Sequence, residues 1–157
     1  MYQIRDWLYI GKYSQTRNLL TLNQYGITAM LQLADYVPQE NIESLFLNVD
    51  DGEPLPTGMI ESGLQFLREQ KAQNKTILVA CGAGISRSST FALAFLMELE
   101  NLSLLEAYRE VYKNHPQAEP HPELIKSLYG YHGETVEMIE AFSRLRTVRQ
   151  EVDAENT

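Results

Sequence analysis

Thr76-Ile77-Leu78-Val79-Ala80-Cys81-Gly82-Ala83-Gly84-Ile85-Ser86-Arg87-Ser88-Ser89 is the stretch from which the fold is read. Thr76 to Val79 is apolar or branched at consecutive positions, the pattern of a strand covered by helices on both faces, and so of the middle of a sheet. Small residues after Cys81 end that strand. Ser88 to Leu99 follows as a strongly apolar stretch and is predicted as a buried helix.

The loop between strand and helix reads as an anion cradle. Gly82 and Gly84 let the backbone curl so that amide groups from Gly82, Ala83, Gly84, Ile85 and Ser86 turn inward, and the following helix adds its positive dipole end. Cys81 on the rim sits in that field, which favours the thiolate. Arg87 can fold its planar fork back over the cradle and hold two phosphate oxygens at once. A lone cysteine is more often a small buried hydrophobe. A dinucleotide-binding turn is excluded because Arg87 occupies the third glycine position, where close helix–strand approach is required. Cysteine, two glycines, arginine and serine falling together between strand and helix favour a nucleophilic, anion-binding site.

Working outward, Trp7-Leu8-Tyr9-Ile10 before Gly11 reads as an edge strand, Thr16 to Tyr25 as a helix stopped by Gly26, and Ile27 to Leu33 as a second strand. Asp35 to Asn41 reads as a loop, and Leu45 to Val49 as a strand running into Asp50, Asp51 and Gly52. Met59, Ile60, Gly63, Leu64, Phe66 and Leu67 recur with a helical period. Ser103 with Glu106 forms a capping-box signature for a helix that Pro116 stops, and Pro122 opens another with Leu124, Ile125 and Leu128 on its buried face. A terminal helix is predicted with Val136, Ile139, Phe142, Leu145 and Val148 buried and Glu140 paired to Arg144, fraying after Val152. Alternating strands and helices predict an α/β fold, a three-layer helix–sheet–helix sandwich around a central, mostly parallel sheet.

With 157 residues, 44% apolar and 22% charged, the chain suits one compact domain. The net charge of −8 gives no sequence-independent hold on nucleic acid or anionic lipid, although local basic surface around Arg5, Lys12 and Arg17 is compatible with the sequence. No apolar run approaches the roughly 20 residues of a membrane helix and the start lacks signal-peptide features, so no membrane association and a cytoplasmic location are expected. A single cysteine excludes an internal disulfide and a multi-thiolate zinc site. His115, His121 and His132 are expected in turns or on the surface, with no metal bound.

Cys81 followed by five residues, then Arg87 and Ser88, resembles the signature loop of cysteine-dependent phosphatases, and of the dual-specificity protein phosphatases in particular. Trp7-Leu8-Tyr9-Ile10-Gly11 is similar to that family's opening strand, Tyr25-Gly26-Ile27-Thr28 to its second-strand entry, and Val49-Asp50-Asp51 to its acid-bearing loop. The similarity spans about residues 4 to 130. Low-molecular-weight tyrosine phosphatases carry the cysteine near the N-terminus, and rhodanese-type loops have a shorter gap to the arginine.

The resemblance implies a catalytic domain over residues 1–132, with 133–157 as a C-terminal helix and polar tail packed on it or extending it. It implies hydrolysis of phosphate monoesters through a phosphocysteine, without cofactor or metal. Cys81 would be the nucleophile, Arg87 and the amides of Gly82 to Ser86 the phosphate-binding groups, Asp51 the general acid with Asp50 as its one-residue alternative, and Ser88 a donor to the departing sulfur. Substrates would be phosphorylated proteins or peptides, phosphotyrosine favoured and phosphoserine or phosphothreonine admitted. Gly82 to Ser86 include no cation, which disfavours polyphosphorylated inositols. The family places His directly before the cysteine, where this chain has Ala80. That departure points to an alternative, a weak or inactive phosphopeptide-binding relative. A second alternative is an interaction domain docking through Thr135 to Arg149.

Overall fold

The computed structural model describes residues 1–157 and follows the predicted alternation. In chain order the elements are β1 (Tyr2–Arg5), β2 (Leu8–Lys12), α1 (Tyr13–Thr16), α2 (Leu19–Gln24), β3 (Ala29–Gln32), β4 (Glu43–Phe46), α3 (Thr57–Ala72), β5 (Ile77–Cys81), α4 (Arg87–Glu100), α5 (Leu104–Asn114), α6 (Pro122–Tyr131) and α7 (Met138–Glu155). The sheet order is β1-β2-β5-β3-β4, with β5 parallel to both neighbours and only the β1–β2 pair antiparallel. Every residue of β5 is buried, as a strand covered on both faces requires.

The pleat of β5 sends alternate side chains to two unequal layers. Ile77, Val79 and Cys81 join a core of 36 buried residues under α3 to α7, whereas Leu78 and Ala80 join one of 6 with Leu22 and Met30, beside α1 and α2. The helix–sheet–helix sandwich is therefore present, with one thin layer. Ala80 and Cys81 face opposite layers, so a side chain at position 80 reaches the loop only from behind.

The Ser103–Glu106 capping box forms in both directions at the start of α5, and Pro122 occupies the first turn of α6. Gly26 adopts φ 70°, the left-handed conformation that ends α2. No helix is long and apolar enough to cross a membrane.

Several expectations are corrected. The strand at Leu8–Lys12 is interior, because Tyr2–Arg5 pairs outside it and forms the edge. The predicted helix over Thr16 to Tyr25 divides at Arg17 and Asn18, where the Asn18 side chain caps α2 by accepting from the Thr21 amide. The strand expected at Leu45–Val49 is Glu43–Phe46, set by its parallel register with β3. Helix α7 continues to Glu155, where Arg109 pairs with Glu151 and Glu155.

The buried face of α7 is also different. Ala141, Leu145, Val148 and Val152 are buried, whereas Ile139 is 85% and Phe142 45% exposed. A strict spacing of three turns 300° per step and drifts around the helix, while 141, 145, 148 and 152 stay on one stripe. The Arg144–Glu140 pair forms at 2.8 Å. Arg5 forms no basic patch, since Glu100 and Glu110 bind its guanidinium at 2.8 and 3.0 Å and raise its pKa.

Candidate active site

Cys81 ends the central strand at the carboxyl edge of the parallel strands, where open α/β sheets bind ligands. Four of the five carbonyls of the loop that follows it are hydrogen-bonded. Gly82 O accepts from the Tyr13 amide at 3.4 Å, Gly84 O from His115 Nε2 at 2.7 Å, and Ile85 O from the Glu119 amide at 3.0 Å. Ser86 O accepts both the amide and the hydroxyl of Thr90. The amides of Gly82, Ala83, Gly84, Ile85 and Ser86 bond to no other protein group. With these carbonyls bonded and the amides unengaged, the loop has the polarity of an anion nest.

Gly84 is required twice over. Its φ is 71°, and a Cβ would lie 2.9 Å from Gly11 O. Arg87, the first residue of α4, folds back as expected. Its Nη1 donates to Val49 O at 3.0 Å, and its Nη2 lies so close over Gly82 that a Cβ there would meet it at 3.1 Å. One arm of the guanidinium is thus tied to the loop carrying the aspartates, and the rest lies above the cradle.

Cys81 is 3% exposed, and its Sγ lies 3.2 Å from Ser88 Oγ, itself fully buried in the first turn of α4. A pocket of about 340 Å³ opens above this pair, lined by Asp51, Cys81, Ser86 and Arg87 among others. Asp51 is held by a short chain of hydrogen bonds: the His121 amide donates to Ser86 Oγ at 2.9 Å, and Ser86 Oγ donates to Asp51 Oδ1 at 2.6 Å. Asp50 lines a separate surface depression with Asn48 and Pro54. Of the two aspartates, Asp51 lines the pocket that holds Cys81 and Asp50 does not. No group of three or more His, Cys, Asp or Glu side chains converges as a metal site.

A cysteine, an arginine and an aspartate around an amide-lined loop sit within a match to one family over most of the chain: the family model "Dual specificity phosphatase, catalytic domain" matches residues 8–134. The chain belongs to the dual specificity phosphatase family. It is 33% identical over 129 residues to human dual specificity protein phosphatase 16, covering 79% of this chain and 19% of that protein. To human dual specificity protein phosphatase 14 it is 29% identical over 133 residues, covering 82% of this chain and 67% of the relative. The crystal structure of human DUSP28 superposes with a TM-score of 0.72 at 21% identity, over 99% of both chains, a likeness of fold. The chain thus spans a fifth of one curated relative and two thirds of the other.

Within this dual specificity phosphatase domain, three features escaped the sequence reading. His115 was expected in a turn or on the surface. It is 1% exposed, stacks on Tyr2 of β1 at 3.7 Å between ring centroids, and props the Gly84 carbonyl. Donating to a carbonyl fixes the proton on Nε2 and leaves buried Nδ1 without a partner; burial pushes the imidazole pKa down, consistent with the neutral ring. No local pattern announces this contact, which joins residues 31 apart in sequence. Ser86 also positions Asp51 through its hydroxyl, a role its place in the loop did not reveal. Finally, Phe142, Leu145 and Arg149 of α7 line the Cys81 pocket, although α7 lies beyond the family-model match. Arg149 is anchored there by donating to Tyr108 Oη at 3.1 Å, while that hydroxyl donates to Ala118 O at 2.9 Å.

Proposed function

We propose that the chain hydrolyses phosphate monoesters on phosphoproteins, phosphotyrosine ahead of phosphoserine and phosphothreonine, through a phosphocysteine on Cys81. The convergence of Cys81, Arg87 and Asp51 on one pocket supports this reading. Cys81 thiolate attacks phosphorus in line with the ester oxygen: the S–P bond forms, the P–O ester bond breaks, and the leaving oxygen takes a proton from Asp51. Arg87 and the amides of Gly82 to Ser86 hold the equatorial oxygens throughout, a preorganised electrostatic role. Water then attacks the phosphocysteine. Its proton passes to the Asp51 carboxylate, the S–P bond breaks, and Ser88 donates to the departing sulfur.

No cofactor or metal enters this sequence, and a thiol nucleophile suits a reducing, cytoplasmic setting. Residues 1–132 act in this reading as the catalytic unit, with 133–157 packed on it. Steady-state release of phosphate from a small aryl phosphate tests the proposal: turnover by the wild type, with none by Cys81→Ser, is the expected result.

Ala80 favours a second reading, a phosphopeptide-binding domain with little or no turnover. Position 80 is 2% exposed in an apolar cluster, so no imidazole supports the cysteine from behind. Phosphopeptide binding by the wild type without phosphate release would establish that reading instead.

A further inference from the structure

We infer that Phe142 of α7 is the specificity wall of the pocket, and that it selects phosphorylated aromatic side chains over phosphorylated alkyl ones. The inference rests on the proposed reading of the loop as the phosphate site. Cys81 and Phe142 line the same pocket, but Cys81 is 3% exposed and Phe142 45% exposed. A phosphate seated at Cys81 therefore lies deep, and an ester group long enough to reach the exposed part of the pocket meets Phe142.

The pocket volume of about 340 Å³ lies at the small end of the range for small-molecule sites, room for one modified side chain. Phe142 shares the lining with the apolar Leu145, Pro120, Pro122 and Ile85 and with charged Glu119 and Arg149. A flat aromatic ring entering the pocket finds these apolar side chains and meets Phe142 edge-on or offset. The short Cβ link of phosphoserine ends near the cradle and leaves the wall untouched.

Phe142 is held in place although it is exposed. Its helix is fixed by Ala141, Leu145, Val148 and Val152 in the core, and by Arg149 on Tyr108. Phe142 is nevertheless left nearly half in solvent in the lining of the pocket that holds Cys81. Ile139, one turn earlier and 85% exposed, lies outside the pocket lining and serves as the control.

The test is binding to the non-turning Cys81→Ser protein, measured by calorimetry with three probes: a phosphotyrosine peptide, a phosphoserine peptide of otherwise identical sequence, and inorganic phosphate. Adding Phe142→Ala is expected to weaken the phosphotyrosine peptide about tenfold, the factor that 1.4 kcal/mol represents. The phosphoserine peptide and inorganic phosphate should change less than about twofold, which on the same scale is under 0.5 kcal/mol. Ile139→Ala should change none of the three, and Phe142→Tyr should retain the phosphotyrosine preference. An unchanged phosphotyrosine affinity in Phe142→Ala, or an equal loss for all three probes, overturns the inference while leaving the loop as the phosphate site. Failure of Cys81→Ser to bind even inorganic phosphate overturns the site reading and the inference with it.

Discussion

His115 Nε2 lies 2.7 Å from the carbonyl oxygen of Gly84, so a buried imidazole on the segment after α5 fixes the one loop residue that has both positive φ and no room for a Cβ. Its pKa is pushed below the ordinary 6.5, first by burial, with the Met1 amino group acting in the same direction and the bond to Gly84 opposing. The unfolded chain then binds a proton more readily than the folded one. The stability this group contributes is present above about pH 6.5 and is lost as pH falls through the lower folded value. Thermal midpoints followed from pH 8 to pH 5 should fall more steeply for the wild type than for His115→Gln, whose amide still donates to Gly84 O. Parallel curves would show that His115 titrates as it does in the unfolded chain.

Asp51 and Asp50 are neighbours in sequence but only Asp51 lines the Cys81 pocket, held by Ser86 Oγ at 2.6 Å. Asp51→Ala should slow aryl phosphate hydrolysis by roughly 10²–10⁴-fold, the usual contribution of general acid–base catalysis. Asp50→Ala should leave the rate near wild type. A larger loss in Asp50→Ala would transfer the acid role by one residue.

Ser88 Oγ lies 3.2 Å from Cys81 Sγ, and in the proposed mechanism it donates to the departing sulfur in the second step. Removing a hydrogen bond to a charged group costs about 1.5–3 kcal/mol, so Ser88→Ala should slow dephosphorylation of the enzyme by about ten- to a hundredfold. Stopped-flow release of an aryl alcohol should then show a burst followed by a slow steady state. Loss of the burst itself would place Ser88 in the first step.

Gly63 of α3 packs on Phe91 of α4 so closely that a Cβ would lie 2.4 Å from the ring, and Phe91 is 1% exposed with nowhere to move. Gly63→Ala should therefore lower stability by about 1–3 kcal/mol through overpacking, outweighing the gain in helix propensity. Urea denaturation measures this. A neutral or stabilising result would mean that α3 and α4 separate freely.

The central half of the molecule was legible because its signals are local. Consecutive apolar residues at Ile77–Val79 mark the middle strand, and Ser103 with Glu106 marks a helix start within four residues. Likewise Cys81, Arg87 and Ser88 fall within eight residues, and the structure brings Cys81 into contact with Ser88 and into one pocket with Arg87. What escaped depends on distant partners. Tyr2–Arg5 is short with one buried residue, and becomes a strand only because β2 offers it an edge. The α7 face differs from the apolar spacing because neither Ile139 nor Phe142 packs in the core: Phe142 lines the Cys81 pocket, and Ile139 is exposed outside it. His115 carries no periodicity at all, and its role emerges only when α5 returns the chain to Gly84.

The account depends on Cys81 carrying phosphate covalently during turnover. Millisecond mixing of the wild type with a ³²P-labelled aryl phosphate, a denaturing quench and peptide mass analysis test this directly. Label on the peptide containing Cys81, increased in Ser88→Ala and absent in Cys81→Ser, is the predicted result. Phosphate release by the wild type with no labelled peptide at any time, or undiminished release by Cys81→Ser, would contradict it.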